Sequence, residues 1–148
     1  MVYILLVTFI FIAEWKIKNY IEAVYDDSKQ EWIFEKKIRL RKYHNHGACL
    51  NFMEKRKKLL HGISVIFTLL ISLVFIFTFF HKGNHILKLG LSLLLGGAFS
   101  NTYDRLSRDY VVDYFSFCSP FPRLNQIVFN ISDFCILIGT LLVVLKTA

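Results

Sequence analysis

The chain has 148 residues and a net charge of +7, and 55% of its residues are hydrophobic, including 15 phenylalanines. Its length suits one domain, but its mean hydropathy of +0.46 is high for a soluble globular protein. These values argue against a soluble domain and predict a small polytopic membrane protein.

Four apolar runs are candidates for membrane-spanning helices, because crossing the hydrocarbon takes about 20 helical residues. The runs cover about residues 2–20, 59–80, 86–103 and 127–145. Charged residues from Glu14 onward interrupt the first run, so a signal-peptide core is an alternative to a retained helix there. We favour the helix, because no basic segment precedes the run and no small-residue cleavage site follows it. The predicted fold is therefore an all-α integral membrane protein with one four-helix domain.

A basic insert, about residues 21–58, separates the first two runs. Residues 16–58 contain 12 basic and six acidic side chains, which supply +6 of the net charge. From Lys37 onward apolar and charged residues alternate, which predicts a short strand or an interfacial hairpin. We interpret the insert as a solvated loop attracted to anionic lipid headgroups, since it contains no recognised nucleic-acid motif.

Cysteine and histidine spacing gives no sign of a metal or cofactor site. Cys49, Cys118 and Cys135 have no CxxC spacing, and Cys135 is most simply a packing residue inside the fourth run. The five histidines show no HExxH or comparable pattern of metal ligands. We therefore expect neither a metal nor a cofactor.

Two aspartates, Asp113 and Asp133, adjoin apolar runs where an ionised carboxylate is costly and usually functional. Asn130 and Asp133 are three residues apart and share one face of the fourth helix. If the third and fourth helices pack antiparallel, Asp113 and Asp133 can converge. Two carboxylates held that close cannot both be ionised at neutral pH, and a pair sharing one proton is the arrangement of an aspartic protease.

A stripe of small and polar residues leads towards these acids. Gly97, Asn101 and Arg105 follow one helical face at i, i+4 and i+8. Glycine allows close approach of another helix, the Asn amide can donate and accept, and the Arg fork can pair with Asp104 or Asp109. Taken singly, each polar residue could equally be a structural group at a helix end.

At these residues the sequence resembles lipoprotein signal peptidase, also called signal peptidase II, a four-span aspartic protease family of bacterial membranes. The resemblance is specific over about residues 96–139. Residues 96–105, GGAFSNTYDR, resemble the family's GGAxGNxxDR; residues 111–114, VVDY, resemble VVDF; and residues 129–133, FNISD, resemble FNxAD. Weaker similarities are residues 43–48 to the loop motif NxGxAF and residues 14–18 to DxxxK.

The resemblance implies a role for each candidate residue. Asp113 and Asp133 are the implied catalytic dyad, and Asp104 supports Arg105. The implied substrate-binding or supporting residues are Asn45, Gly47, Gly97, Asn101, Asp104, Arg105, Val112 and Asn130. The implied substrate is a prolipoprotein with a diacylglyceryl-modified cysteine, cut on the N-terminal side of that cysteine. We expect a monomer in contact with membrane lipid, without nucleic acid, as a multi-pass protein of the bacterial cytoplasmic membrane.

Loop charge and the family motifs predict opposite sides of the membrane for the basic insert. The family places both termini in the cytoplasm and the insert outside, whereas the positive-inside rule would place so basic a loop in the cytoplasm. We follow the motifs, because folding of a structured insert can override loop charge.

Departures from the family pattern indicate a divergent member. They are Glu14, Cys49, Ser100, Asp109 and Ser132, with Cys49 and Leu50 where an aromatic is usual. One alternative is an inactive or altered-specificity paralogue that binds lipidated peptides or a membrane partner. Another is a small structural or transport subunit, although acids that relay protons would more naturally line the middle of helices.

Overall fold

The computed structural model describes residues 1–26, 28–47, 56–118, 120–121 and 124–147. It contains four long helices, α1 Val2–Val24, α2 Lys57–Thr78, α3 His85–Arg108 and α4 Ile131–Thr147. Three strands, β1 Gln30–Ile33, β2 Ile38–Asn45 and β3 Val111–Phe117, complete the fold with a 3-10 turn at Leu124–Gln126.

Helix bounds differ from the apolar runs at several ends, and two of the larger differences have local reasons. Helix α3 continues five residues past the predicted end at 103 and stops where Asp109 adopts the left-handed conformation, with φ 65°. Helix α4 begins at Ile131 and not near 127, because Phe129 pairs with Phe115 of β3 through backbone hydrogen bonds. Asn130 therefore stands at the junction between an extended segment and a helix.

The description of the chain as all-α requires correction, because the helices are joined by a small antiparallel sheet. Its strand order is β1-β2-β3, and only β1 and β2 form the hairpin expected in the insert. Strand β3 lies between α3 and α4 and pairs with β2 so that Tyr43 faces Asp113 and Asn45 faces Val111. The sheet thus connects the insert to the segment that contains one of the two aspartates.

Helix α3 lies at the centre of the fold and packs against each of the other three helices. Its glycines permit this close packing. A Cβ on Gly97 would lie 2.5 Å from the Ser132 carbonyl oxygen of α4, and one on Gly96 would lie 2.9 Å from the Cβ of Ile10 in α1. The approach at Gly97 brings the polar end of α3 against the first turn of α4.

Among the described helices, one segment, Lys57–Phe80, is long and apolar enough by composition alone to cross a membrane, and little of it is buried. Helices lie in the other three apolar runs as well, but charged or polar residues interrupt α1 and α3, and α4 has only 17 residues. The prediction of four spans is therefore not confirmed by length and composition.

Candidate active site

The first turn of α4 forms a reciprocal capping arrangement between Asn130 and Asp133. The Asp133 backbone N–H donates to Asn130 Oδ1 over 3.0 Å, and the Asn130 backbone N–H donates to Asp133 Oδ2 over 3.0 Å. This is the geometry of a capping box with Asp in place of Glu, and it fixes the carboxylate of Asp133. Asn130 itself is fully buried.

Asp113 projects from β3 to the same place and accepts two amide hydrogen bonds. Asn45 Nδ2 of β2 donates to Asp113 Oδ2 over 2.9 Å, and Asn130 Nδ2 donates to Asp113 Oδ1 over 2.6 Å. Asn130 therefore contacts both aspartates, one through its side chain and the other through its backbone. Asp113 is 1% exposed.

Helix α3 supplies a third amide, that of Asn101, and the guanidinium of Arg105. Asn101 Nδ2 donates to Asp133 Oδ1 over 2.9 Å. Arg105 makes longer contacts, to the Asn101 carbonyl at 3.4 Å and to the Gly47 carbonyl at 3.3 Å. The backbone N–H of Gly47 in turn donates to Asn45 Oδ1 over 3.0 Å, which orients the Asn45 amide towards Asp113.

A cleft of about 880 Å³ opens beside these groups. Asp113, Asp133, Asn45, Asn101 and Arg105 all line it. Its remaining walls are mostly apolar and come from α2, α4 and residues 126–129; they include Phe67, Ile127, Val128, Ile136 and Leu137. The cleft thus combines a polar group of two acids with an extended apolar surface.

The protonation of Asp113 is perturbed by its surroundings. Burial raises the pKa of Asp113 well above its usual range, and the neighbouring Asp133 carboxylate raises it further, while the amides of Asn45 and Asn130 oppose the change. Asp113 therefore retains a proton more readily than an exposed aspartate. Such an arrangement can supply one acid and one base at neutral pH.

Asp104 and Val112 lie behind the aspartates and not in the cleft. The ion pairs of Asp104 are with Lys18 at 3.0 Å and Arg108 at 3.4 Å, and not with Arg105, the partner that the sequence suggested. Asp104 Oδ2 also accepts from the Val112 backbone N–H over 3.2 Å. Asp104 consequently joins the end of α3 to the start of β3.

Glu14, Lys18 and Tyr114 form a buried network that reaches Asn101 of the candidate site, although the sequence did not predict them as site residues. Glu14 accepts from Tyr114 OH at 2.5 Å and from the backbone and hydroxyl of Ser132 at 3.1 and 2.8 Å. Lys18 donates to Ser100 and Asn101, each over 2.9 Å. The sequence signals for Glu14 and Lys18 were their opposite charges four residues apart within an apolar run and the weak similarity of residues 14–18 to DxxxK.

Two departures from the family pattern, Ser100 and Ser132, thus provide hydroxyls to this buried network. Cys49 lies outside the described residues, while Cys118 is exposed and Cys135 half-buried, both as free thiols. Within the described residues, no group of three or more His, Cys, Asp or Glu could hold a metal ion.

The fold is similar to those of two bacterial membrane enzymes solved by the in meso method, at 2.3 Å and 1.9 Å resolution. The first match has a TM-score of 0.82 and covers 99% of this chain and 87% of the other. The second has a TM-score of 0.76 and covers 99% and 92%. Both are 22% identical, so the likeness defines a class of fold, that of a bacterial membrane enzyme.

Residues 6–148 match the family model described as signal peptidase (SPase) II. A lipoprotein signal peptidase from Acinetobacter baylyi is 33% identical over 106 residues, which are 70% of this chain and 58% of that protein. The chain therefore belongs to the signal peptidase II family, whose members are aspartic proteases.

Proposed function

We propose that this protein is an intramembrane aspartic endopeptidase that removes the signal peptide from diacylglyceryl-modified prolipoproteins, cutting before the lipidated cysteine. Family membership supports the reaction class. The observation that contributes most is the contact of Asn130 with both Asp113 and Asp133 at one end of a mostly apolar cleft. A pair of acids beside an apolar surface suits a peptide with an attached lipid.

In the proposed reaction Asp113 and Asp133 share one proton. The ionised member takes a proton from a water molecule, which attacks the peptide carbonyl carbon as the protonated member donates to the carbonyl oxygen. A tetrahedral gem-diol forms, and its collapse breaks the C–N bond as a proton passes to the leaving nitrogen. The apparent pKa values of this reaction belong to the pair.

The neighbouring amides are proposed to orient the pair. Each aspartate accepts hydrogen bonds from amide donors, with Asn45 and Asn130 on Asp113 and Asn101 on Asp133. Fixed donors of this kind keep the carboxylates in one geometry. Arg105 lines the cleft and donates to the Gly47 carbonyl, and we propose that these two residues contact the substrate backbone. Gly97 and Val112 hold α3, α4 and β3 together behind the pair.

We further propose that α1, α2, α3 and α4 each cross the membrane. Helices α1, α2 and α4 expose large apolar side chains, as a lipid-facing surface does; examples are Leu5, Phe9, Phe67, Phe77, Leu141 and Leu145. Glu14, Lys18 and Lys88, which would be costly in lipid, are instead buried against protein. The setting is the bacterial cytoplasmic membrane, with lipid and substrate as partners and a monomer as the functional unit.

The proposed topology has a direct test. Fusion reporters at residue 50 and at the C-terminus should report the outer side and the cytoplasm, respectively. A cytoplasmic signal from residue 50 would contradict the proposed function, because the aspartates would then face the wrong compartment.

The proposed activity is tested with purified protein and a synthetic diacylglyceryl-modified prolipoprotein. We expect the wild type to cut before the modified cysteine, and Asp113→Asn and Asp133→Asn each to reduce kcat by roughly 10²- to 10⁴-fold or more, since each removes an acid–base group. Asp109→Asn is the matched control, because Asp109 is exposed at the end of α3.

The same assay separates cleavage from binding alone. Wild-type protein that retains the lipidated peptide without cutting it, beside a competent control enzyme, would support the alternative of a non-catalytic paralogue.

A further inference from the structure

We propose that Lys18 is a positioning residue for the reaction: it fixes the Asn101 amide in the one orientation that presents an N–H donor to Asp133. This inference rests on the proposed function and adds a residue of α1 to the machinery. Lys18 does not line the cleft and touches neither aspartate in the described contacts.

The direction of two hydrogen bonds supports this role. Lys18 Nζ lies 2.9 Å from Asn101 Oδ1, and Asn101 Nδ2 lies 2.9 Å from Asp133 Oδ1. A lysine ammonium can only donate, so the side of the Asn101 amide that faces it must be the oxygen. The NH₂ side is therefore directed at the aspartate. A flipped amide would place its oxygen against Asp133 and its NH₂ against the ammonium.

The ammonium itself is held in place by groups on two helices. Lys18 is 1% exposed, and besides Asn101 it contacts Ser100 Oγ at 2.9 Å, Asp104 at 3.0 Å and Glu14 at 3.8 Å. A buried cation without partners is costly, so these contacts confine Nζ to one position. The position of Lys18 consequently determines which side of the Asn101 amide faces Asp133.

Lys18 also acts on the pair through its charge. The charged or titratable groups around Asp113 are Glu14 and Lys18 on α1, Tyr43 on β2, Asp104 and Arg105 on α3, and Asp133 on α4. Burial and Asp133 raise the pKa of Asp113, and the Lys18 cation partly offsets that rise. Removing the cation should therefore shift the pH profile of cleavage towards higher pH.

The test compares Lys18→Met with a charge-balanced variant, Lys18→Met/Asp104→Asn, in the cleavage assay. The double variant matters because Lys18→Met alone leaves Glu14 and Asp104 without their shared cation. Lys88→Met is the matched control, since Lys88 is also a buried lysine but donates to the His81 carbonyl, away from the aspartates. Melting temperature, kcat, KM and the pH profile are measured for each protein.

We expect both Lys18 variants to lose about 10- to 100-fold in kcat, the size of a lost hydrogen bond to a charged group. KM should change little in either variant. The pH profile should move upward in Lys18→Met, which removes only the cation, and should move less in the charge-balanced variant, which also removes the anion of Asp104. Lys88→Met should retain the wild-type kcat and profile.

Two results would overturn the inference while leaving the proposed function intact. One is a folded charge-balanced variant with wild-type kcat. The other is a loss of kcat in Lys18→Met that parallels the loss of melting temperature and leaves the pH profile unchanged, which is the behaviour of a merely structural residue. A wild-type protein that does not cut at all would overturn the proposed function, and this inference with it.

Discussion

Asn130 combines two tasks that are usually given to different residues. Its side-chain oxygen caps α4 by accepting from the Asp133 backbone N–H, and its NH₂ group donates to Asp113. Both sides of the amide therefore make hydrogen bonds, and removing the whole side chain affects helix and acid together. Substitutions that retain one task can separate them.

We predict that Asn130→Ala loses both functions. The missing cap should lower the free energy of unfolding by about 0.5–2 kcal/mol, and the missing donor to Asp113 should lower kcat by about 10- to 100-fold. Asn130→Ser is the informative partner, because serine caps a helix well but is too short to replace the amide NH₂. It should keep most of the stability and lose the activity; full activity in Asn130→Ser would refute the role assigned to the amide.

At the scale of elements, the contact between α3 and α4 determines whether Asn101 reaches Asp133. The contact is closest at Gly97, where a Cβ would meet the backbone oxygen of Ser132 at 2.5 Å. Backbone cannot rotate away as a long side chain can, so the helices must separate to admit even a methyl group.

We therefore predict that Gly97→Ala lowers both kcat and the melting temperature, because overpacking a close contact costs about 1–3 kcal/mol. Gly62→Ala is the matched control in α2, where a Cβ meets nothing within 4 Å. It should be neutral or raise stability by up to about 1 kcal/mol, since alanine is the better helix former. Equal effects of the two substitutions, in paired thermal melts and cleavage assays, would contradict this assignment.

The end of α3 offers a substitution that should improve the protein. Asp109 has φ 65°, a left-handed conformation that glycine adopts without strain. We predict that Asp109→Gly raises the free energy of unfolding by about 0.5–1 kcal/mol without changing kcat. Ser107→Gly, two residues earlier inside the helix, should have the opposite sign, and denaturation of both variants measures the difference.

The helices and the chemistry at their ends could largely be anticipated from the sequence, because both leave local signals. Apolar runs mark the helices, and the spacing of Gly97, Asn101 and Arg105 marks one face. The pairing of β3 with β2 could not be anticipated from the sequence, because it places Asp113 opposite Tyr43, which is 70 residues away in the chain. Lys18 was missed for a related reason: its partners, Ser100, Asn101 and Asp104, belong to a different helix.

For the whole molecule, the buried charges behind the cleft are balanced across elements. Glu14 and Lys18 of α1 meet Asp104 of α3, which also pairs with Arg108. The charges of these two acidic and two basic side chains cancel, which limits the free-energy cost of burying them. The aspartate pair lies near the cations Lys18 and Arg105, but burial and the charge of Asp133 still raise the pKa of Asp113, so the protonation of Asp113 couples the fold to pH.

We predict that stability depends on pH through Asp113. In the folded state its pKa is raised, so between the ordinary value of about 4 and the raised value the folded protein binds more protons than the unfolded chain. The free energy of unfolding should therefore fall as pH rises through that window, and kcat should fall once the shared proton is lost. Asp113→Asn should show a flatter dependence of stability on pH; an identical dependence would contradict the raised pKa.

Asp113 belongs to β3 and Asp133 to α4, and the pairing of β3 with β2 and with Phe129, just before α4, brings both acids to Asn130. Before that pairing the chain contains two ordinary solvated acids, each ionised at neutral pH and neither able to donate a proton. Under the proposed function, proteolytic activity therefore requires the completely folded protein, and an incompletely inserted chain should not cleave the proteins around it.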